Sequence, residues 1–202
     1  MIWELLLVVG AYLLGSVPSA LFVVWLMTGE DIRNLGSGNI GATNATRAGG
    51  FRAGVVVTIL DVAKGALPVW AMSVFHPASA WLAAAMLAAV VGHCYPIWLK
   101  FRGGKGVATA FGAFLVLSPW SAVAGIALWL VVLLIWRRVS LASMVAAAAY
   151  PLALVVIDDP TPVILAAVSA TAVLIVLRHH DNIRNLLAGD EPKIDSFRGG
   201  DR

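Results

Sequence analysis

A polar segment within a largely apolar sequence carries side chains suited to binding an anion. Residues 36–47 read Gly-Ser-Gly-Asn-Ile-Gly-Ala-Thr-Asn-Ala-Thr-Arg. Glycines let backbone N–H groups approach an anion closely, and hydroxyl, amide and guanidinium groups supply further donors. The segment is therefore predicted to be a loop that binds a phosphorylated or otherwise anionic ligand.

A second polar cluster joins a histidine turn, Gly92-His93-Cys94-Tyr95-Pro96, to the basic glycine loop Gly103-Gly104-Lys105-Gly106. The loop is predicted to form a backbone nest around Lys105, at the start of a helix whose N-terminus adds about half a positive charge. Its spacing differs from that of a Walker A loop, and Val107 stands where that loop needs Ser or Thr. Taken alone, the glycine loop is equally typical of a flexible basic turn.

A third polar cluster, Arg178 to Leu186, follows the last apolar segment. On a continuing helix His179 and Asn182 are i, i+3 neighbours and share a face. Either histidine alone would be typical of a turn that anchors the chain at a membrane interface. Three polar clusters on one side of a small protein favour a common site instead.

One charged pair is predicted to lie inside a helix. Asp61 and Lys64 are i, i+3 neighbours, about 10 Å into the second apolar segment at 1.5 Å per residue. Because charge at that depth is costly, the pair should face protein or a polar cavity. Two interpretations stay open: a mutually neutralising structural pair, or Lys64 at the floor of the predicted site.

The elements that must position these clusters are apolar segments long enough for a membrane. Of the 202 residues, 60% are hydrophobic and 12% are charged, and the mean hydropathy is +0.89, which indicates an all-α membrane protein with several spans. Seven segments are predicted to be transmembrane helices: Trp3–Met27, Gly54–Phe75, Ala78–Leu99, Val107–Leu117, Trp120–Trp136, Leu141–Ile157 and Pro162–Leu177. The fourth is short, and the sequence leaves open whether it crosses fully.

The placement of basic residues predicts the orientation in the membrane. Every Lys and Arg except Lys64 falls in alternate connections, on one side of the predicted helices. By the positive-inside rule that side is cytoplasmic, which places the N-terminus outside and the C-terminus in the cytoplasm. We expect a single polytopic domain over residues 1–194 and a mobile cytoplasmic tail over 195–202.

Together the motifs closely resemble the bacterial acyl-phosphate:glycerol-3-phosphate acyltransferase family. That family shows GSGN-x-GATN-x-x-R, as Gly36 to Arg47 does, and GH-x-x-P followed by GGKG-x-AT, as Gly92 to Thr109 does. It also shows H-x-x-NI after the last helix, as His179 to Ile183 does. The chain departs from the family pattern at Asn185, where a basic residue is usual; Arg184 lies one step earlier.

The resemblance implies a seven-span inner-membrane enzyme with its site at the cytoplasmic face. Such enzymes transfer a fatty acyl group from acyl phosphate to the 1-hydroxyl of glycerol 3-phosphate, which yields lysophosphatidate and phosphate and begins phospholipid synthesis. No covalent acyl-enzyme, cofactor, metal or nucleic acid is expected. The implied partners are acyl phosphate, glycerol 3-phosphate, membrane lipid and enzymes that supply acyl phosphate.

The resemblance also assigns roles to residues of the three clusters. The expected catalytic residues are Ser37, Arg47, His179 and Asn182, and the expected substrate-binding residues are Asn39, Gly41, Asn44, Lys64, Gly103, Gly104, Lys105 and Gly106. Glu191 is expected to tie down the C-terminal segment. The base that removes the hydroxyl proton is either His179, whose unperturbed pKa is about 6.5, or a substrate phosphate oxygen.

Two other classes of protein compete with an enzyme. A small transporter or channel for an anionic phosphorylated metabolite would explain a basic glycine loop in a membrane, but it predicts helices broken at mid-bilayer and usually an internal repeat, and the sequence shows no repeat. A structural subunit of a larger complex would not need Ser37, Arg47, Lys105 and His179 on one side.

Overall fold

A computed structural model describes residues 1–77 and 79–194, and within those residues the protein is helical, without strands. The tail predicted at 195–202 lies outside the described residues. The helices are α1 Ile2–Gly15, α2 Ser19–Thr28, α3 Ala42–Phe75, α4 Ala80–Cys94, α5 Val107–Leu117, α6 Pro119–Trp136, α7 Val139–Asp158, α8 Pro162–Arg178 and α9 His180–Ala188. Short 3₁₀ turns lie at Ile32–Asn34 and Ile97–Leu99.

Five helical segments of the described chain are long and apolar enough to cross a membrane. They are Ile2–Thr28, Ala42–Phe75, Ala80–Leu99, Pro119–Trp136 and Val139–Asp158. The count rises to six if α8 and α9, which meet at a bend of 55°, form one span. The predicted count of seven therefore depends on α5, which has 11 residues, and it stays a prediction.

The first predicted span is broken near its middle, which corrects the uninterrupted helix expected over Trp3–Met27. α1 ends at Gly15 and α2 begins at Ser19. Pro18, which has no N–H to continue the hydrogen-bond ladder, lies at the break as the N-cap of α2. The carbonyl of Val17 accepts from the Ser19 N–H at 3.0 Å and from Lys64 Nζ at 2.9 Å, and α3 thereby contacts the break directly.

The third helix begins twelve residues earlier than the predicted segment Gly54–Phe75. α3 starts at Ala42, so the second half of the predicted polar loop is helical. The helix is kinked at Gly50, whose φ of 80° and ψ of 178° are not helical and are readily adopted by a residue without a Cβ. Arg47 therefore stands on a short helical arm that precedes the membrane-crossing part of α3.

Glycines at the crossing of α3 and α5 bring these helices into backbone contact. A Cβ built on Gly65 would lie 1.9 Å from the Thr109 carbonyl oxygen, and one built on Gly112 would lie 2.0 Å from that of Val62. No side chain fits between such backbones. The crossing thus places the first turn of α5 directly beside the buried Asp61 and Lys64.

Candidate active site

The three predicted clusters meet at one end of the helices. Arg178, at the end of α8, donates to the carbonyl oxygens of Gly103 at 2.9 Å and Gly104 at 3.2 Å. The Ile40 carbonyl oxygen, from the first loop, lies 2.8 Å from a Cβ built on Gly104. The glycine loop therefore lies between the other two clusters. Sequence reasoning gave Arg178 no role, because a basic residue at the end of an apolar helix is an ordinary interface anchor.

Lys105 is joined to the C-terminal segment by a chain of hydrogen bonds. Its Nζ donates to Asn182 Oδ1, and Asn182 Nδ2 donates to Glu191 Oε1 at 2.7 Å. Ser140, on α7, donates to the same carboxylate oxygen at 2.5 Å. Glu191 is buried and ties the segment after α9 to α7, as expected. The Asn182 amide holds Lys105 and Glu191 relative to each other.

Two carboxylates and two guanidinium groups act on the charge of Lys105. Burial is the main cause that lowers the pKa of Lys105 below its ordinary value; Glu191 and Asp181 oppose the shift, and Arg47 and Arg178 add to it. Lys105 is thus one of three cations, with Arg47 and Arg178, that lie close enough to interact with one another and with Glu191 and Asp181. Such a cluster is suited to a phosphate dianion, whose charge offsets the repulsion among the cations.

His179 lies at the bend between α8 and α9. The expected continuous helix through His179 and Asn182 is wrong, because α8 ends at Arg178 and α9 begins at His180. His179 is buried, and its Nδ1 lies 2.7 Å from the Ile175 carbonyl oxygen. Since a carbonyl oxygen accepts only, Nδ1 carries the proton, and Nε2 of the neutral ring is an acceptor.

Asn44 holds the first loop together, and its expected contact with substrate stays a prediction. Its Oδ1 accepts from the backbone N–H of Ser37 at 2.9 Å, and its Nδ2 donates to the carbonyls of Leu35 at 2.9 Å and Ile32 at 3.3 Å. The side chain is buried. Its amide is therefore used to shape the loop, and Ser37 is left exposed at the loop surface.

The other predicted residues of the first segment surround that loop. Ser37 is exposed, and Asn39 and Gly41 are half-buried. Gly41 has extended backbone and caps the start of α3. Arg47 follows one turn after Asn44 on the helical arm and is half-buried. Contacts of these residues with a substrate stay predictions.

Gly103 and Gly104 do not have free backbone donors, contrary to the predicted nest. The N–H of Gly103 donates to the Cys94 carbonyl and that of Gly104 to the His93 carbonyl, each at 3.1 Å. Gly106, at φ 83°, caps the start of α5. The first N–H groups of α5 have no partner within the helix, so they remain the backbone donors that a ligand could use here.

Lys64 fits parts of both interpretations left open by the sequence. It forms a buried ion pair with Asp61, 2.8 Å between Nζ and Oδ1, as a structural pair would. It also lines a small cavity beneath the glycine loop, as a residue at the floor of the site would; the polar side chains and loop glycines around this cavity are Ser16, Ser19, Lys64, His93, Gly103 and Gly104.

Comparison with known proteins places this geometry in a family. The family model described as glycerol-3-phosphate acyltransferase matches residues 5–189. The chain is 44% identical over 187 residues to the glycerol-3-phosphate acyltransferase of Syntrophotalea carbinolica, covering 92% of this chain and 95% of the relative. It is 46% identical over 188 residues to that of Geotalea daltonii, covering 93% and 96%.

The fold is also similar to solved structures of an integral membrane glycerol 3-phosphate acyltransferase, PlsY (YgiH). The glycerol 3-phosphate form has a TM-score of 0.90 at 43% identity, and the lysophosphatidic acid form 0.86 at 41%, each covering 94% of both chains. The fold and the matches define a membrane-embedded acyltransferase. The chain belongs to the glycerol-3-phosphate acyltransferase family, which confirms the family predicted from its motifs.

Proposed function

We propose that this enzyme transfers a fatty acyl group from acyl phosphate to the 1-hydroxyl of glycerol 3-phosphate, at the cytoplasmic face of a bacterial inner membrane. The products are lysophosphatidate and inorganic phosphate. The observation that carries the proposal is the meeting of three basic side chains: Arg178 donates to the two glycines that precede Lys105, and the charge of Arg47 acts on Lys105. Both substrates carry phosphate, and this cluster has the charge to bind it.

The chemistry needs positioning more than covalent catalysis. The glycerol hydroxyl oxygen attacks the acyl carbonyl carbon, the bond from that carbon to the phosphate oxygen breaks, and phosphate leaves with the electron pair. Because the mixed anhydride already has a good leaving group, no acyl-enzyme is required. The protein's task is to align two anionic substrates and to stabilise charge on the carbonyl and the departing phosphate.

We assign phosphate binding to Arg47 and Lys105, with the N-terminal N–H groups of α5 as further donors. The side chains of Ser37 and Asn39, at the surface of the loop that Asn44 shapes, hydrogen-bond the phosphate or carbonyl of the acyl donor. The acyl chain lies between helices, in contact with membrane lipid, and enzymes that make acyl phosphate supply the donor.

We assign the glycerol hydroxyl to His179. With Nδ1 held by the Ile175 carbonyl, Nε2 is the atom that can accept the hydroxyl proton or orient the hydroxyl while a substrate phosphate oxygen takes it. His179→Gln separates the two, because a glutamine amide can accept a hydrogen bond but cannot act as a base at neutral pH. A base role predicts a loss of kcat of about 10²–10⁴-fold, whereas near-wild-type kcat would assign the base to the substrate.

The donor is tested with purified protein in detergent, labelled glycerol 3-phosphate, and either palmitoyl phosphate or palmitoyl-CoA. Lysophosphatidate formed from palmitoyl phosphate alone is the expected result. Product from palmitoyl-CoA alone would overturn the proposed donor and leave the enzyme class in place. In proteoliposomes, flux of glycerol 3-phosphate without product would favour the transporter that the broken first span allows.

A further inference from the structure

We propose that His93 is a positioning residue that sets the place of Lys105 by holding the loop before it and the helix turn after it. His93 lies at the end of α4. Its carbonyl oxygen accepts from Gly104 N–H at 3.1 Å, and its Nδ1 lies 3.1 Å from Oγ1 of Thr109. One residue thus contacts the chain just before Lys105 and again one helical turn later.

The glycine loop packs directly on this histidine. A Cβ built on Gly104 would lie 2.1 Å from His93 Nε2, and one built on Gly103 would lie 2.1 Å from the His93 carbonyl oxygen. Both glycines therefore rest against His93 with no space for another side chain. A shift of the imidazole must move the loop, and the loop carries Lys105.

The imidazole also lies beside a buried charged pair. His93 Nδ1 lies 3.8 Å from Asp61 Oδ1, and that carboxylate is paired with Lys64 at 2.8 Å. The side chains are enclosed by protein, with exposed fractions of 2% for Asp61, 5% for Lys64, 7% for His93 and 0% for Thr109. Rotating the ring would break the contact with Thr109 and leave polar atoms buried without partners, which is costly.

His93 therefore links Gly104 and Thr109, on both sides of Lys105, next to the charged pair of α3. This inference rests on the proposed role of Lys105 in binding phosphate. A side chain that positions Lys105 affects the affinity for glycerol 3-phosphate, whereas one that only stabilises the fold lowers the amount of active enzyme and leaves KM unchanged.

The test compares two substitutions of Thr109. Thr109→Val removes the hydroxyl at nearly constant volume, and we expect KM for glycerol 3-phosphate to rise on the order of tenfold, as for one lost hydrogen bond, with kcat within about threefold of wild type. Thr109→Ser keeps the hydroxyl and should restore KM to within about twofold. Thr171→Val is the matched control, because Thr171 is equally buried but its hydroxyl donates to Ala167 on its own helix.

A double-mutant cycle checks that His93 and Thr109 act together. His93→Leu alone should raise KM at least as much as Thr109→Val, and the double variant should be no worse than the worse single one. If His93→Leu does not fold, the comparison of KM between Thr109→Val and Thr109→Ser still tests the inference. The inference would be overturned if the fold-increases in KM of His93→Leu and Thr109→Val multiplied in the double variant. It would also be overturned if Thr109→Val had the same KM as Thr171→Val.

Lys105→Ala separates this inference from the proposed function. A wild-type KM in that variant would refute the phosphate role of Lys105 and, with it, the inference. A raised KM for Lys105→Ala, together with an unchanged KM for Thr109→Val, would leave the proposed function intact and refute the positioning role of His93.

Discussion

At Gly104 the space for a side chain is occupied by the His93 imidazole and the Ile40 carbonyl. The nearby polar groups are used in the same way: the Asn44 amide binds the backbone of its own loop, and the Gly103 N–H binds Cys94. Groups whose types suggested ligand contacts thus hold the backbone of the loops in place.

Gly104→Ala should abolish or strongly reduce activity while its control does not. The new methyl group would sit 2.1 Å from His93 Nε2, so the loop must move or the core must absorb overpacking of about 1–3 kcal/mol. Gly10→Ala is the control, since a Cβ there meets nothing within 4 Å and alanine favours a helix. Acyl transfer and thermal unfolding of both variants check this; a fully active Gly104→Ala would contradict it.

Binding of glycerol 3-phosphate should weaken with rising pH sooner than an exposed lysine would allow. Burial lowers the pKa of Lys105 below 10.5. Because the ammonium is charged below its pKa, its attraction for the substrate phosphate is complete at neutral pH. That attraction is lost as pH rises through the lowered pKa. Equilibrium binding of labelled substrate between neutral pH and pH 10.5 measures the loss. In Lys105→Arg the guanidinium stays charged over this range, so identical profiles for the two proteins would refute the prediction.

Helix α3 contributes to the candidate site and also contacts the connection between α1 and α2. Its N-terminal arm carries Arg47, its kink at Gly50 lets that arm leave the membrane-crossing part, and its Lys64 holds the break between α1 and α2 through the Val17 carbonyl. Lys64 therefore ties α3 to the connection between α1 and α2.

Lys64→Met should destabilise the protein by about 3–5 kcal/mol, because it leaves the Asp61 carboxylate buried without its cation. The double variant Asp61→Asn/Lys64→Met should recover much of that loss, since no unpaired charge remains. Thermal unfolding in detergent compares them, and equal destabilisation of single and double variants would contradict the argument. A double variant that folds but does not bind glycerol 3-phosphate would show that Lys64 also contacts substrate.

In the whole molecule, one end carries the site and the opposite end is held by a separate polar contact. Ser121, near the start of α6, donates to Asp158 Oδ2 at 2.6 Å, and Ser118 donates to the same oxygen. The turn between α5 and α6 is thus tied to the end of α7. This tie lies at the end of α5 opposite the glycine loop.

The predicted orientation places Asp159 outside the cell and Arg184 in the cytoplasm. In intact cells a membrane-impermeant maleimide should label Asp159→Cys and should not label Arg184→Cys until the membrane is opened. Both positions are exposed, and the native Cys94 is buried, so it gives little background. Labelling of Arg184→Cys in intact cells would reverse the topology and move the site to the outer face.

The sequence by itself determined the class of protein, most helix positions and the family. Apolar length and composition are local properties, so α5 matches its predicted bounds and α6, α7 and α8 nearly do. The family motifs are also read along the chain, and they identified Ser37, Arg47, Lys105 and His179 as candidates before any fold was known.

The tertiary structure decided which polar groups remain for a ligand. The sequence shows that Asn44, Gly103 and Gly104 carry hydrogen-bonding groups. It does not show the partners of these groups, which lie in other turns and helices. The break before Pro18 is likewise held by a partner from another helix, since Lys64 on α3 donates to the Val17 carbonyl. A hydrogen bond needs a donor and an acceptor close together, and only folding brings together groups that are distant in the sequence.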